Sequence, residues 1–155
     1  MEKRVEDSRT EQVYVIRSQH INPYGRLFGG YLMQWIDEVA GVVSRRHCGH
    51  EITTALVDNL SFKAGAYKND MVVLEGKLTY VGTTSMEVRV DTYVEDYLGI
   101  RRSINRAFLV MVAVDENGKP VPVPGLKLET EQEKAEWEAG KKRYDLRKKR
   151  RIEGY

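Results

Sequence analysis

Apolar positions along this chain change period twice. Gln12-Val13-Tyr14-Val15-Ile16 is a run of strand formers and predicts a short strand. Residues 18–29, SQHINPYGRLFG, hold Asn-Pro and several glycine or proline breakers, which predicts a long loop. Such loops in compact domains usually have a task. From Gly30 to His47 the spacing becomes helical, with Leu32, Met33, Ile36, Val39, Ala40 and Val43 forming an apolar surface. A second stripe, Gly30, Gln34, Asp37, Gly41 and Ser44, runs at intervals of 4, 3, 4 and 3 and is small or polar. A helix apolar over much of its circumference, with a thin polar seam, is expected to be buried with that seam facing something specific.

After Gly49 the pattern turns to strand. Beta-branched and aromatic enrichment with frequent alternation, as in Met86-Glu87-Val88-Arg89-Val90, predicts strands near 52–62, 70–81, 84–96 and 102–115. Gly65-Ala66, Gly82-Thr83, Tyr97-Leu98-Gly99 and Glu116-Asn117-Gly118 separate them. Pro120, Pro122 and Pro124 alternate with valines and then meet Gly125, an extended exit from the sheet. Residues 129–150 read as a helix with glutamates first and lysines and arginines last, the order that complements the helix dipole. Strand, loop, helix and four long strands make an α+β domain, an antiparallel sheet curled around one helix. The division expected is a loose polar leader at 1–10, a single domain at 11–128 and a charged helix with a basic tail at 129–155.

Composition narrows the class. With 155 residues, 41% of them hydrophobic, the chain can fill one core. A net charge of +2 is too small to make the whole domain a nucleic-acid binder. One cysteine, Cys48, excludes an internal disulfide and fits a reducing compartment. The first ten residues lack the apolar run of a signal peptide, and no apolar stretch approaches the ~18 residues of a membrane span. A cytoplasmic protein without membrane insertion is expected.

Asp37 is the leading candidate for chemistry. A carboxylate within a largely apolar helix costs free energy to bury unless it is paired or used. Phe28-Gly29-Gly30 sets two glycines where the helix begins, and helix N-termini present unpaired amides suited to a developing oxyanion. Asn22, fifteen residues before the acid, offers a carboxamide that orients a water or carbonyl, although Asn-Pro also simply opens a turn. His47-Cys48-Gly49-His50 has the look of a metal cluster, but zinc needs three or four ligands at suitable spacing, and a helix C-terminus stopped by Gly49 is the better account. No metal is expected. Walker, GxGxxG, GxSxG and HExxH patterns are all absent from the sequence.

Asn22-Pro-Tyr-Gly25-Arg-Leu-Phe28-Gly29-Gly30-Tyr-Leu-Met-Gln-Trp-Ile-Asp37-Glu38-Val-Ala-Gly41 resembles the acyl-CoA hydrolase family of hotdog-fold thioesterases. The resemblance continues through Arg46-His47-Cys48, Gly82-Thr83-Thr84-Ser85 and Val112–Pro120, and covers roughly residues 10–128. It implies a long central helix wrapped by an antiparallel sheet, and hydrolysis of acyl-CoA with no cofactor beyond the CoA of the substrate. It also implies that Asp37 acts as general base, or less readily as nucleophile, with Asn22 supplied by the opposite subunit. Gly29 and Gly30 would bind the oxyanion. One hotdog per chain implies a homodimer at least, with a trimer of dimers common in the family. For the CoA phosphates the candidates are Lys63, Arg101, Arg102 and Arg106, with Gly82, Thr83, Thr84 and Ser85 as further donors.

Two other readings compete. A hotdog dehydratase would pair an acid with a histidine, for which His20 is available. A non-catalytic acyl-CoA sensor would keep the pocket and lose the reaction. The tail Lys148-Lys149-Arg150-Arg151 is expected to be the solvated end of a Glu/Lys helix, with no nucleic-acid partner.

Overall fold

In a computed structural model describing residues 1–154, the helix over 29–48 is the axis around which the sheet is laid. The strands are β1 (Glu2–Arg4), β2 (Thr10–Val15), β3 (Glu51–Phe62), β4 (Met71–Val81), β5 (Ser85–Glu95), β6 (Arg101–Val114) and β7 (Gly125–Lys127). The helices are α1 (Gly29–Cys48) and α2 (Glu131–Glu153). Strands β2-β4-β5-β6-β3, in that spatial order, form one antiparallel sheet. The two terminal strands β1 and β7 make a separate parallel pair. The predicted elements therefore lie within a few residues of their observed limits, and the fold is the hotdog arrangement.

The sheet's inner face takes the apolar side of α1. Leu32, Ile36, Val39, Ala40 and Val43 are buried against Leu74, Leu78, Val88, Val90, Leu109 and Met111. Each large aliphatic among them contributes ~1.5–3 kcal/mol by leaving water. Gly76 lets helix and sheet approach closely, since a methyl group there would stand 2.7 Å from Val39 Cγ1. The helix stops where Gly49 adopts the left-handed conformation at φ 70° and returns its N–H to Arg45 O.

The outer face is covered by α2. Tyr80 on β4 packs at a tilt against Trp137 and Tyr144, with ring centroids 4.4 and 5.3 Å apart. Gly140 lies directly on Tyr80. Val121 and Val123 donate to Ala113 O and Thr83 O, so the intervening prolines sit where no donor is needed. No helix among the described residues is long and apolar enough to cross a membrane.

Two expectations need correction. The leader is not loose: β1 pairs with β7, and Val5 is buried in a short 3-10 turn, because an apolar side chain among charges had a core to enter. The polar seam of α1 is open in the single chain, with Gly30, Gln34 and Asp37 exposed, so this helix is buried on one side only. The tail residues Lys148, Lys149, Arg150 and Arg151 are exposed as expected, but the helix that carries them is docked, with Arg147 buried in ion pairs with Asp58 and Glu87, both on the sheet.

Candidate active site

Strand β3 is an edge of the sheet, and its inner side lies along the open seam of α1. Thr54 Oγ1 donates to Asp37 Oδ1 at 2.7 Å. That bond fixes one carboxylate oxygen and leaves the other without a partner among the described residues, free to accept from a water. Thr54 carried no signal in the sequence, where it was one more beta-branched residue in a strand. Only the distance singles it out.

Asn22 belongs to a tight turn of the loop before α1. Its Oδ1 accepts from the N–H groups of Tyr24 and Arg26 at 2.9 and 3.1 Å. Two backbone donors fix which end of the carboxamide is oxygen, so the NH2 end points away as an unengaged donor. The residue that forms the turn thus keeps its NH2 group available. Phe28, which precedes the helix, offers no side-chain cap. The amides of Gly29 and Gly30 therefore stay without partners among the described residues, at the positive end of the helix dipole.

Asn22 and Gly29 line one cavity of about 390 Å³ with Lys63, Arg26 and Phe62. Leu32 and Ile104 give it an apolar depth. Phe62 abuts the helix start, since a methyl group on Gly29 would come within 3.3 Å of its Cζ. Asp37 is not in this cavity: eight residues of helix set it about 12 Å from Gly29 along the axis. The chain thus carries two separate clusters of candidate residues. Thr54 with Asp37 marks one end of β3, and Phe62 with Gly29 and Asn22 marks the other.

The remaining candidates divide. Thr84 and Ser85 line a second cavity, of about 490 Å³, on the sheet's outer face with residues of α2. Gly82 lies beneath Tyr144, and Thr83 O accepts from Val123. Arg101 and Arg106 reach neither cavity. The sheet register sets Arg101 opposite Glu95 and Arg106 opposite Asp91, and each guanidinium bonds to that carboxylate, at 2.9 and 2.6 Å. Arg101 also binds Glu75 and Glu11. Arg102 bonds Gly65 O at 3.5 Å.

Of the histidines, His20 accepts the Arg17 N–H at Nδ1 and packs edge-on against Tyr31 and Trp35. No histidine–aspartate pair of the dehydratase kind forms among the described residues. His47 is fully buried and bonds Pro124 O through Nε2 at 2.8 Å.

Comparison with known proteins agrees with this geometry. The model of the thioesterase superfamily matches residues 24–98. An uncharacterized acyl-CoA thioester hydrolase of Bacillus subtilis is 45% identical over 72% of this chain, which spans 66% of that relative's length. The structure of an apo-hexameric acyl-CoA thioesterase superposes with a TM-score of 0.91 at 41% identity, covering 96% of each chain. An acyl-CoA hydrolase from Staphylococcus aureus, solved with butyryl-CoA and CoA, gives 0.93 at 32% identity, covering 99% of this chain and 94% of its own. That enzyme has also been solved with a threonine, an aspartate or an asparagine replaced by alanine.

Proposed function

Because this chain belongs to the thioesterase superfamily, we propose that it hydrolyses acyl-CoA to a carboxylic acid and CoA at a site shared by two subunits. The observation that carries the reading is the Thr54–Asp37 pair at one end of an unpaired edge strand, with the Asn22 and Gly29 cavity at the other end. The three residues replaced in the Staphylococcus enzyme are separated by fifteen and seventeen positions, the same intervals that separate Asn22, Asp37 and Thr54 here.

An exposed twelve-residue edge strand without proline is a template for pairing. If two β3 strands pair antiparallel about a twofold axis near Asp58, Thr54 of one falls opposite Phe62 of the other. Asp37 of one subunit then meets Asn22 and Gly29 of its partner, and the symmetry makes two equal sites. The polar seam of α1 is covered by the same contact. The hexameric relative supports further assembly into a trimer of such dimers.

In the reaction, Asp37 takes a proton from a water that Asn22 Nδ2 helps to hold, and the water oxygen attacks the thioester carbonyl. The oxyanion forms toward the Gly29 and Gly30 amides, where loss of one such donor costs ~2.7–4 kcal/mol in known cases. Collapse expels the CoA thiolate, which takes up a proton. The reaction as written uses no metal or redox group.

The test is release of free thiol from acyl-CoAs ranging from acetyl to palmitoyl. Wild type should turn over at some chain length, while Asp37→Asn and Asn22→Ala, folded and assembled as wild type, should lose ~10²–10⁴-fold in kcat. Binding of acyl-CoA without hydrolysis at any length would sink the reading and favour a sensor.

A further inference from the structure

Beneath α1, the rows that cross the two central strands are aliphatic until one breaks the pattern. Val88 on β5 faces Leu109 on β6 and Val90 faces Ala107, but the next row sets Thr92 opposite Asn105. Both side chains are fully buried. Asn105 Nδ2 donates to Ser61 O at 2.6 Å, which fixes the other end of the carboxamide as oxygen. Neither Asn105 Oδ1 nor Thr92 Oγ1 has a hydrogen-bond partner among the described residues. A buried polar atom without a partner bears the full cost of leaving water. Two such oxygens in one row of an aliphatic face point to a single group that bonds both.

This row runs into the cavity that holds Asn22 and Gly29. On its other side Asn105 is paired with Phe62, and both Phe62 and Ile104, the residue before Asn105, line that cavity. A shift in the ladder leaves Ile104 unpaired between the Thr92–Asn105 and Tyr93–Ser103 pairs. Such a bulge re-aims a side chain, and Ile104 and Asn105 are accordingly both buried although they are neighbours in a strand. At a spacing of ~5 Å, Asn105 stands one strand inward from Phe62 and Thr92 stands two. Phe62 itself abuts Gly29 at the start of α1. The two oxygens therefore lie inward of the helix N-terminus, behind the apolar lining of the cavity.

We propose that Thr92 and Asn105 recognise a hydroxyl group on the acyl chain, so that the substrates of this enzyme include acyl groups oxygenated away from the thioester. The proposal rests on the acyl-CoA reading above. An acyl carbonyl held at the Gly29 and Gly30 amides sends its chain past Phe62 and Ile104 toward this row. There the substrate O–H donates to Asn105 Oδ1, and the Thr92 hydroxyl donates to the same substrate oxygen. A carboxylate does not suit the position, because Asn105 Oδ1 can only accept and would face another acceptor. A plain alkyl chain of equal length leaves both oxygens without a partner, and a site built to bond a hydroxyl rejects the analogue that lacks it. A water held there offers the same O–H chemistry, but it would leave hydroxylated and plain chains equal.

The experiment measures thiol release from two matched pairs, 6-hydroxyhexanoyl-CoA with hexanoyl-CoA and 3-hydroxybutyryl-CoA with butyryl-CoA. Wild type should prefer the hydroxylated member of at least one pair by about ten-fold or more in kcat/KM. Thr92→Val keeps the shape and removes the hydroxyl. It should bring that preference within about two-fold of unity while cleaving the plain acyl-CoA about as fast as wild type. Thr92→Ser should retain the preference. Asn105→Leu should lose it, and Thr92→Val decides even where Asn105→Leu, which also gives up the Ser61 contact, does not fold. Equal turnover within both pairs in wild type, or faster turnover of the plain chains, would overturn the proposal and leave the row to a held water. So would a preference that survives in Thr92→Val, or a variant that loses both members of a pair equally, which marks a structural role. If wild type cleaves none of the four, the hydrolase reading fails. Calorimetric titration with 6-hydroxyhexanoyl-CoA and hexanoyl-CoA, wild type against Thr92→Val, then decides this site by the same comparison.

Discussion

Thr54 shows how much one hydrogen bond can decide. Its hydroxyl holds one oxygen of Asp37 and so sets the direction of the other, toward the seam where a partner subunit would stand. A hydrogen bond to a charged group contributes about 1.5–3 kcal/mol. Thr54→Ala is therefore expected to lower kcat about ten- to a hundred-fold with little change in KM, and Thr54→Ser to restore most of it. Steady-state kinetics on one acyl-CoA checks both, and a KM effect without a kcat effect would place Thr54 in binding alone. His47 gives a second prediction at this scale. Burial pushes its imidazole below the usual 6.5, although the Pro124 carbonyl opposes this, and its Nδ1 has no partner. An unfolded chain takes up a proton there near 6.5, whereas the folded one resists until lower pH. The unfolded state thus binds more protons in that window, and stability falls as pH drops through 6.5. Urea unfolding at pH 7.5 and 5.5 should show this loss in wild type and a smaller one in His47→Gln. Equal losses would assign the pH dependence to other groups. Glu87 is not among them: burial opposes ionisation of its carboxyl, yet hydrogen bonds from Arg143 and Thr79 hold it below the usual carboxylate range, so its contribution is lost only at more acid pH.

Among the elements, α2 separates what the sequence revealed from what it concealed. Its existence and direction were legible in the order of acids and bases, and Thr130 caps it through the Glu133 N–H. Its docking was not, because charged residues read as solvated when their partners lie on strands elsewhere in the chain. The clue was spacing: Arg143, Arg147 and Arg150 fall on one helical face at intervals of four and three. Helix α1 shows the converse. Its apolar stripe and Gly49 stop gave the element to within a residue, and the helix was expected to be buried with its seam facing something specific, whereas a single chain leaves Gly30, Gln34 and Asp37 exposed. Arg101 and Arg106 show the same effect, since cross-strand register, invisible in the sequence, sets each opposite a carboxylate that it bonds. Gly140 tests the docking by the sign of an effect. On a free helix, Gly140→Ala would stabilise by up to about 1 kcal/mol through propensity. Packed on the sheet, the new methyl group would lie 2.7 Å from Tyr80 Cβ, too close for a side chain to swing aside. The expected result is destabilisation by about 1–3 kcal/mol in urea unfolding. A gain in stability would mean that α2 stands off the sheet.

At the scale of the whole molecule, the two half-sites of one chain set up a test that needs no structure of the assembly. Asp37→Asn removes the base and Asn22→Ala removes the holder, so each variant alone should be nearly inactive. In a mixed dimer the proposed twofold arrangement puts both substitutions into one site and leaves the other with an intact Asp37 and an intact Asn22. Random mixing makes about half the dimers mixed, with one working site in each. Co-refolding equal amounts of the two variants should therefore restore about a quarter of wild-type activity from two inactive preparations. If each site were instead built within one chain, every site would keep one substitution and mixing would restore nothing. The sequence made the residues of this site legible one by one, through a seam on a helix and an asparagine in a loop. Their division between chains was implied by the family resemblance alone, because in physical terms it depends on where β3 ends and which edge it leaves unpaired. The loop that carries Asn22 and the helix that carries Asp37 adjoin in sequence, yet eight residues of helix point them at different neighbours. Recovery on mixing measures that separation directly.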